Sequence, residues 1–264
     1  MGDKKSLKYK PIKIIGVNMK FVTHGGMYHA DDVLSTALLK LVFGYHKVIR
    51  TNSDDIVIED DDIVFDVGGG KFDHHQIGAE VRDNGIPYAA FGLLWREYSP
   101  KLGLHPWAAE LMDKEFVSLI DETDNSGQAK CPNTLSALVS ACFKAGRSFE
   151  DTVDLIIPML DDLIKTYKDL SDNKTEVESL IDDSTQVFDG GNKHYDGRLF
   201  EDTGVKFVLG PSLRGPGVVL RSLDSSTHPI KDVDGVTPVF IHKSRFTATY
   251  SNVEDALAAA NASL

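Results

Sequence analysis

The feature that most constrains the fold of this 264-residue chain is an early alternation of short apolar strands with a periodic helix. Lys20 to Thr23 reads as a β-branched strand, and Ile12 to Val17 as another before it. Ala30 to Phe43 places Val33, Leu34, Ala37, Leu38, Leu41 and Val42 at helical spacing, and Gly44 stops it. Lys47 to Thr51 is a further strand. Ile63 to Val67 is apolar except for Asp66, the pattern of a strand covered on both faces. Strands that alternate with helices in this way predict an α/β layer with a mostly parallel sheet.

Residues suited to binding metal collect where these strands end. After the first comes His24-Gly25-Gly26-Met27-Tyr28-His29-Ala30-Asp31-Asp32, a loop leading into a helix. In open α/β sheets ligands bind at the carboxyl ends of strands. His24, His29 and Asp31 or Asp32 offer nitrogen and oxygen donors there, a mixture that suits Mn²⁺, Zn²⁺ or Fe²⁺ better than Ca²⁺. The plainer reading is that an aspartate caps the helix and the histidines are merely exposed. Asp66 lies inside an apolar strand, where a carboxylate is costly unless paired or metal-bound. The glycines 68–70 that follow permit close backbone approach. Seven residues after Asp66 comes Asp73-His74-His75-Gln76.

Asp121 and Asp124, in Asp121-Glu122-Thr123-Asp124-Asn125-Ser126-Gly127, form a fourth cluster. They share a face if the preceding helix continues. Acidic residues at a helix C-terminus oppose the macrodipole, which favours a functional use. The alternative is an ordinary helix end at Asn-Ser-Gly.

Composition narrows the classes. With 40 acidic and 28 basic side chains the net charge is −12, against a general nucleic-acid coat protein. Carboxylates that hold metal add to the same sum, so a nucleic-acid enzyme is not excluded. Cys131 and Cys142 form no metal pair or disulfide framework and fit a reducing compartment. No apolar run approaches the roughly 20 residues of a membrane span. The basic Met1 to Lys10 segment is followed by no apolar stretch, so a cytoplasmic protein without a membrane partner is expected.

Helices are expected over Ala89 to Tyr98, Trp107 to Ile120, Pro132 to Ala145 and Phe149 to about Phe188. Beyond Gly190-Gly191-Asn192 the texture changes. Strands are expected at Arg198 to Glu201, Val205 to Leu209, Val218 to Leu223 and Val239 to His242, with a closing helix from Val253 to Ala260. This predicts a second, smaller α/β domain from near Gly190.

The Asp73-His74-His75 triplet resembles the motif of the DHH phosphoesterase superfamily, in which a metal-binding α/β domain is paired with a smaller substrate domain. The first motif of that superfamily is usually His-x3-Asp-x-Asp; here it reads His24-x4-His29-x-Asp31. That departure is similar to the melanocyte proliferating gene (UPF0160) family of metal-dependent hydrolases. Its Thr-His-x-Gly-x-x-His-x-Asp, Asp-Val-Gly-Gly and Asp-His-His-Gln motifs fall here at 23–31, 66–69 and 73–76. Phe240 to Phe246 resembles the ending of that family more loosely, and a glycine pair expected after Phe246 is replaced by Thr247-Ala248-Thr249.

The resemblance implies a DHH-type catalytic domain over 1–148, a helical connector over 149–190 and a substrate-binding domain over 191–264. It implies two divalent cations, Mn²⁺ the first candidate. His24, His29 and Asp66 would hold one. Asp31, Asp66, His74 and Asp121 would hold the other, with Asp124 the alternative to Asp121. Such a pair, about 3.5–4 Å apart, clamps an in-line phosphoryl displacement. His75 would touch phosphate or act as acid, and Asp73 would orient a histidine. The Arg214-Gly215 loop, with His242 and Lys243, would contact substrate. The expected activity is a 3′–5′ exonuclease-like phosphodiesterase on short RNA or small nucleotides. The competing readings are a pyrophosphatase-like hydrolase and a non-catalytic metal-binding protein. A homodimer also fits the resemblance. Cancelling part of the −12 charge at the metals favours short substrates over long nucleic acid.

Overall fold

A computed structural model describes residues 19–52, 57–126 and 134–264. The strand expected over Ile12–Val17 and the helix start expected at Pro132 lie outside them. The chain divides into two compact units, residues 1–168 and 169–264.

The first unit is built on three parallel strands, β1 (Lys20–His24), β2 (Lys47–Thr51) and β3 (Ile63–Val64), in the order β2-β1-β3. Helix α1 (Ala30–Phe43) connects β1 to β2 and has the limits its periodicity predicts. Its Val33, Leu34, Ala37, Leu38 and Leu39 are fully buried, as are Phe21 and Val22 of β1 at 1% exposure or less. Burying side chains of this size stabilises by about 1.5–3 kcal/mol each. A 2-1-3 strand order places the crevice for ligands at the carboxyl ends of the first and third strands. His24 ends β1, and Asp66 follows β3.

β3 is shorter than the expected Ile63–Val67. Phe65 still donates its N–H to Val22 O, but Asp66 turns into the left-handed region with φ 57°. Aspartate tolerates that conformation better than most residues, and the turn takes the chain out of the sheet.

The rest of the unit is helical: α2 (Ala90–Tyr98), α3 (Pro106–Met112), a π-turn over Asp113–Val117, α4 (Ser118–Ser126), α5 (Leu135–Lys144) and α6 (Phe149–Leu180), whose end belongs to the second unit. The helix expected to stop at Ile120 instead continues through Ser126, so Asp121 and Asp124 share its surface. Among the described residues no helix is long and apolar enough to cross a membrane.

The second unit carries a five-stranded mixed sheet in the order β4-β5-β6-β8-β7. Its strands are β4 (Val187–Asp189), β5 (Phe207–Pro211), β6 (Val218–Ser222), β7 (Phe240–Ile241) and β8 (Thr247–Tyr250). Only the β4–β5 pair is parallel. Helix α7 (Val253–Ser263), capped by Asn252, buries Ala256, Ala259 and Ala260 against Phe207, Leu209, Leu220 and Tyr250. The strand expected at Arg198–Glu201 is a 3₁₀ turn, Gly197–Phe200. Asp196 accepts from the Arg198 N–H at 2.9 Å and from its guanidinium, and that local pairing outcompetes an extended strand.

A histidine and carboxylate cleft at the strand ends

Asp66 is the centre of the site. Its left-handed backbone is braced by its own N–H, which donates to Phe72 O at 2.9 Å. Gly68 and Gly69 adopt φ 85° and 70°, which glycine adopts without the steric cost of a Cβ. The Gly69 N–H donates to Asp73 Oδ2 at 2.7 Å, closing a tight loop that swings the Asp-His-His triplet back over the strand end. One Asp66 oxygen then lies 3.2 Å from His24 Nε2 and the other 3.1 Å from His74 Nε2. Only 5% of Asp66 is exposed.

Asp124 Oδ2 stands 3.4 Å from His74 Nε2. His29 caps the start of α1, and its ring centroid lies 5.8 Å from that of His24. These groups line an open cleft of about 650 Å³ together with His75 and Asn125. His75 is exposed, and its Nδ1 is 2.8 Å from Asp73 Oδ1.

Asp31 and Asp121 are fully buried, and each anchors the start of α2. Asp31 accepts from the Ala90 and Phe91 N–H groups at 3.1 and 2.7 Å, at the positive end of α2. Asp121 accepts from the Gly92 N–H at 3.1 Å and pairs with Arg82 Nη1 at 2.7 Å. Arg82 also forks onto Asp113 at 3.0 and 2.8 Å. Asp31 keeps lone pairs, since a carboxylate has about four acceptor sites; its oxygen lies within 4.8 Å of donors of His74 and Asp124. Asp121 faces a guanidinium, and Asp124 is the member of the pair that meets a histidine.

Three further residues take part that local sequence did not single out, or left open. Asp32 is buried, accepts from the His29 N–H at 2.7 Å, and turns its other oxygen to His24 Nε2 and Arg50 at 3.3 Å each. It is therefore both a helix cap and a partner of His24. Asn125, read as part of a helix stop, reaches His74 Nδ1 at 3.4 Å and donates to Pro87 O and Tyr88 O. Its neighbour Asp124 was the available signal. Arg82 has no local signal, because its partners are remote in sequence.

The electrostatics follow from these contacts. The hydrogen bond to Asp66 raises His24 to about 9 against the opposing effect of burial. Burial pushes Asp66 upward, but its bonds to His24 and His74 outweigh that and hold it near 2. His74 is also raised: burial works against its charge, and Asp66 and Asp124 overcome it. Burial raises Asp31, reinforced by Asp66 and Asp124. Burial likewise lifts Asp32 and Asp121 to about 7.

The donor set fits divalent metal. Ligand atoms bound at about 2.0–2.2 Å to one ion stand about 2.8–3.6 Å apart. The 3.1–3.4 Å spacings around Asp66 and His74 fall in that range. Two groups of donors, Asp66-His74-His75 and Asp31-His74-Asp124, each lie within 4.8 Å.

In the second unit, strand register separates the expected substrate residues. Arg214 and Gly215 lie in the β5–β6 loop, beside the Pro211↔Val218 and Val218↔Tyr250 pairs. His242 and Lys243 follow β7 at the other end of the sheet, where Arg221 pairs with Thr247. The two sets do not form one grip within this unit. His242 is engaged locally, with Nδ1 2.7 Å from Ser244 Oγ.

The fold and site thus define an α/β protein whose strand-end cleft presents a mixed histidine and carboxylate donor set. The family model MYG1_exonuc, described as an uncharacterised protein family (UPF0160), matches residues 20–192, and the chain belongs to this family. It is 32% identical over 137 residues to a MYG1 protein of Dictyostelium discoideum, covering 45% of this chain and 41% of the relative. It is 27% identical over 164 residues to a MYG1 protein of Schizosaccharomyces pombe, covering 53% and 48%. The chain therefore matches less than half the length of either relative.

Proposed function

We propose that this protein is a metal-dependent phosphoesterase of the DHH type that holds two divalent ions, manganese first among the candidates. Its expected substrates are short RNA or small nucleotides, cleaved in a 3′–5′ exonuclease-like manner. The observation that carries this reading is the placement of Asp66, with one oxygen toward His24 and the other toward His74. A carboxylate so placed is positioned to bridge two ions. The name of the family model supports the hydrolase reading.

His24, His29 and Asp66 would hold one ion; Asp31, Asp66, His74 and Asp124 would hold the other. Asp124 takes this role rather than Asp121 because Arg82 occupies Asp121 at 2.7 Å. Divalent ions held there would supply an activated water near neutral pH and offset charge growing on phosphoryl oxygens. The protein's own groups do the rest. Asp66 holds a proton on His24 in the metal-free protein, and His24 would have to release it to serve as a ligand, since a ligating imidazole is neutral. Asp73 fixes the Nδ1 side of His75. The other ring nitrogen is then free to give a proton to the leaving oxygen or to touch phosphate. Asn125 steadies His74 from behind.

The test is product release by the Mn²⁺-loaded protein from 5′-labelled short RNA, pyrophosphate and bis-p-nitrophenyl phosphate. Stepwise loss of 3′ nucleotides is expected. Cleavage of pyrophosphate alone would favour the phosphoanhydride reading. No turnover on any of them, with Asp66→Asn matching the wild type, would overturn the assignment as an enzyme.

A further inference from the structure

A second cavity, of about 520 Å³, opens beside the metal-type cleft and shares two of its residues, His29 and Asp124. Its walls are the faces of three helices. Ala30 opens α1. Ile120 and Thr123 lie three apart on α4, and Ser136 and Ser140 lie four apart on α5 beside Ala137. The size falls in the usual range for small-ligand sites, about 300–1,000 Å³. No lysine or arginine lines it among the described residues. A second phosphate would call for cationic or N–H donors there. What this wall offers is apolar surface with three neutral hydroxyls.

We infer that this cavity is the subsite for the nucleoside attached to the reacting phosphate. This rests on the phosphoester reading above and sharpens it. A group bonded to phosphorus near His29 and Asp124 can extend past Ala30 and Ile120, because His29 and Asp124 line both the cleft and the cavity. A planar base finds apolar walls there, and a sugar finds hydroxyl partners at Thr123, Ser136 and Ser140. Among the described residues this wall adds no lysine or arginine for the second phosphate of pyrophosphate, so the subsite favours nucleotidyl esters.

The experiment measures binding of adenosine monophosphate and of inorganic phosphate to the Mn²⁺-loaded protein by calorimetry, in wild type, Ala137→Leu and Ser140→Leu. Both substitutions add bulk to the cavity wall on a helix that accepts leucine readily. The wild type is expected to prefer the nucleotide by about tenfold or more. Each variant should cut that preference about tenfold, with thermal melting confirming a folded protein. Equal affinity for the two ligands in the wild type, or a preference unchanged in both variants, would overturn the subsite. Parallel RNA hydrolysis separates the two readings. Hydrolysis with an unchanged preference defeats the subsite alone. A preference lost in the variants without any wild-type hydrolysis defeats the phosphoester activity alone.

Discussion

Two carboxylates, the buried Asp121 and the half-buried Asp124, lie within one turn of each other on α4, and they differ in what neutralises them. Asp121 is held by Arg82, which also grips Asp113 and lies 3.9 Å from the Tyr88 ring centroid. Asp124 faces His74, which in turn faces Asp66. A guanidinium keeps its charge at any ordinary pH and offers no place to a metal. An imidazole gives up its proton and becomes a ligand. On the proposed function the first cluster is a structural ion pair and the second a site where metal replaces a proton. The partner, rather than the carboxylate, separates their roles.

Asp66→Asn should break the second cluster with the largest effect. Asparagine tolerates the left-handed backbone at this position, so the fold should persist while the bridging charge is lost. Phosphodiesterase turnover is expected to fall by about 10⁴-fold, with Mn²⁺ affinity falling alongside. Near wild-type turnover would break the comparison from this side.

Arg82→Met should damage the first cluster instead. It leaves the fully buried Asp121 unpaired, a loss of about 3–5 kcal/mol in urea unfolding. Metal stoichiometry of the folded fraction should be unchanged. Loss of metal with little loss of stability would show the roles to be reversed.

Gly92→Ala probes the same pair sterically. A Cβ at Gly92 would stand 1.8 Å from Asp121 Oδ2, so α2 or the carboxylate must shift. Thermal melting should report a cost of about 1–3 kcal/mol.

The pH dependence tests the second cluster without any substitution. His24 is raised to about 9 from the usual 6.5, mainly by its hydrogen bond to Asp66. Its contribution to the metal-free fold is therefore complete below about 6.5 and is lost as pH rises through about 9. Mn²⁺ must displace that proton, so its affinity should climb over the same window, by up to about tenfold per pH unit. Calorimetry at pH 6.5, 7.5 and 9 measures it; a flat profile would remove His24 from the ligand set.

The second cluster was legible in sequence because its parts are local. His24, Asp66 and His74 each sit where a strand or a tight glycine loop ends, and apolar periodicity marks those ends. The limits of α1 and β2 were legible for the same reason. The Arg82 cluster was not. It joins a polar loop to two later helices, and nothing within a few residues of Arg82 marks it as buried. The choice between Asp121 and Asp124 likewise depended on which carboxylate Arg82 reaches. In the second unit, Leu199 and Phe200 look strand-like, but Asp196 captures Arg198 into a turn. The β8 strand, Thr247–Tyr250, is not among the expected strands: its residues alternate in burial, but four residues are too few to mark a period.

The most direct test of the central claim, that Asp66 bridges two ions, is Mn²⁺ titration followed by electron paramagnetic resonance. Two ions per chain with an exchange-coupled spectrum are expected in the wild type, and loss of that coupling in Asp66→Asn. A single uncoupled ion in the wild type, or coupling that survives in Asp66→Asn, would contradict that claim.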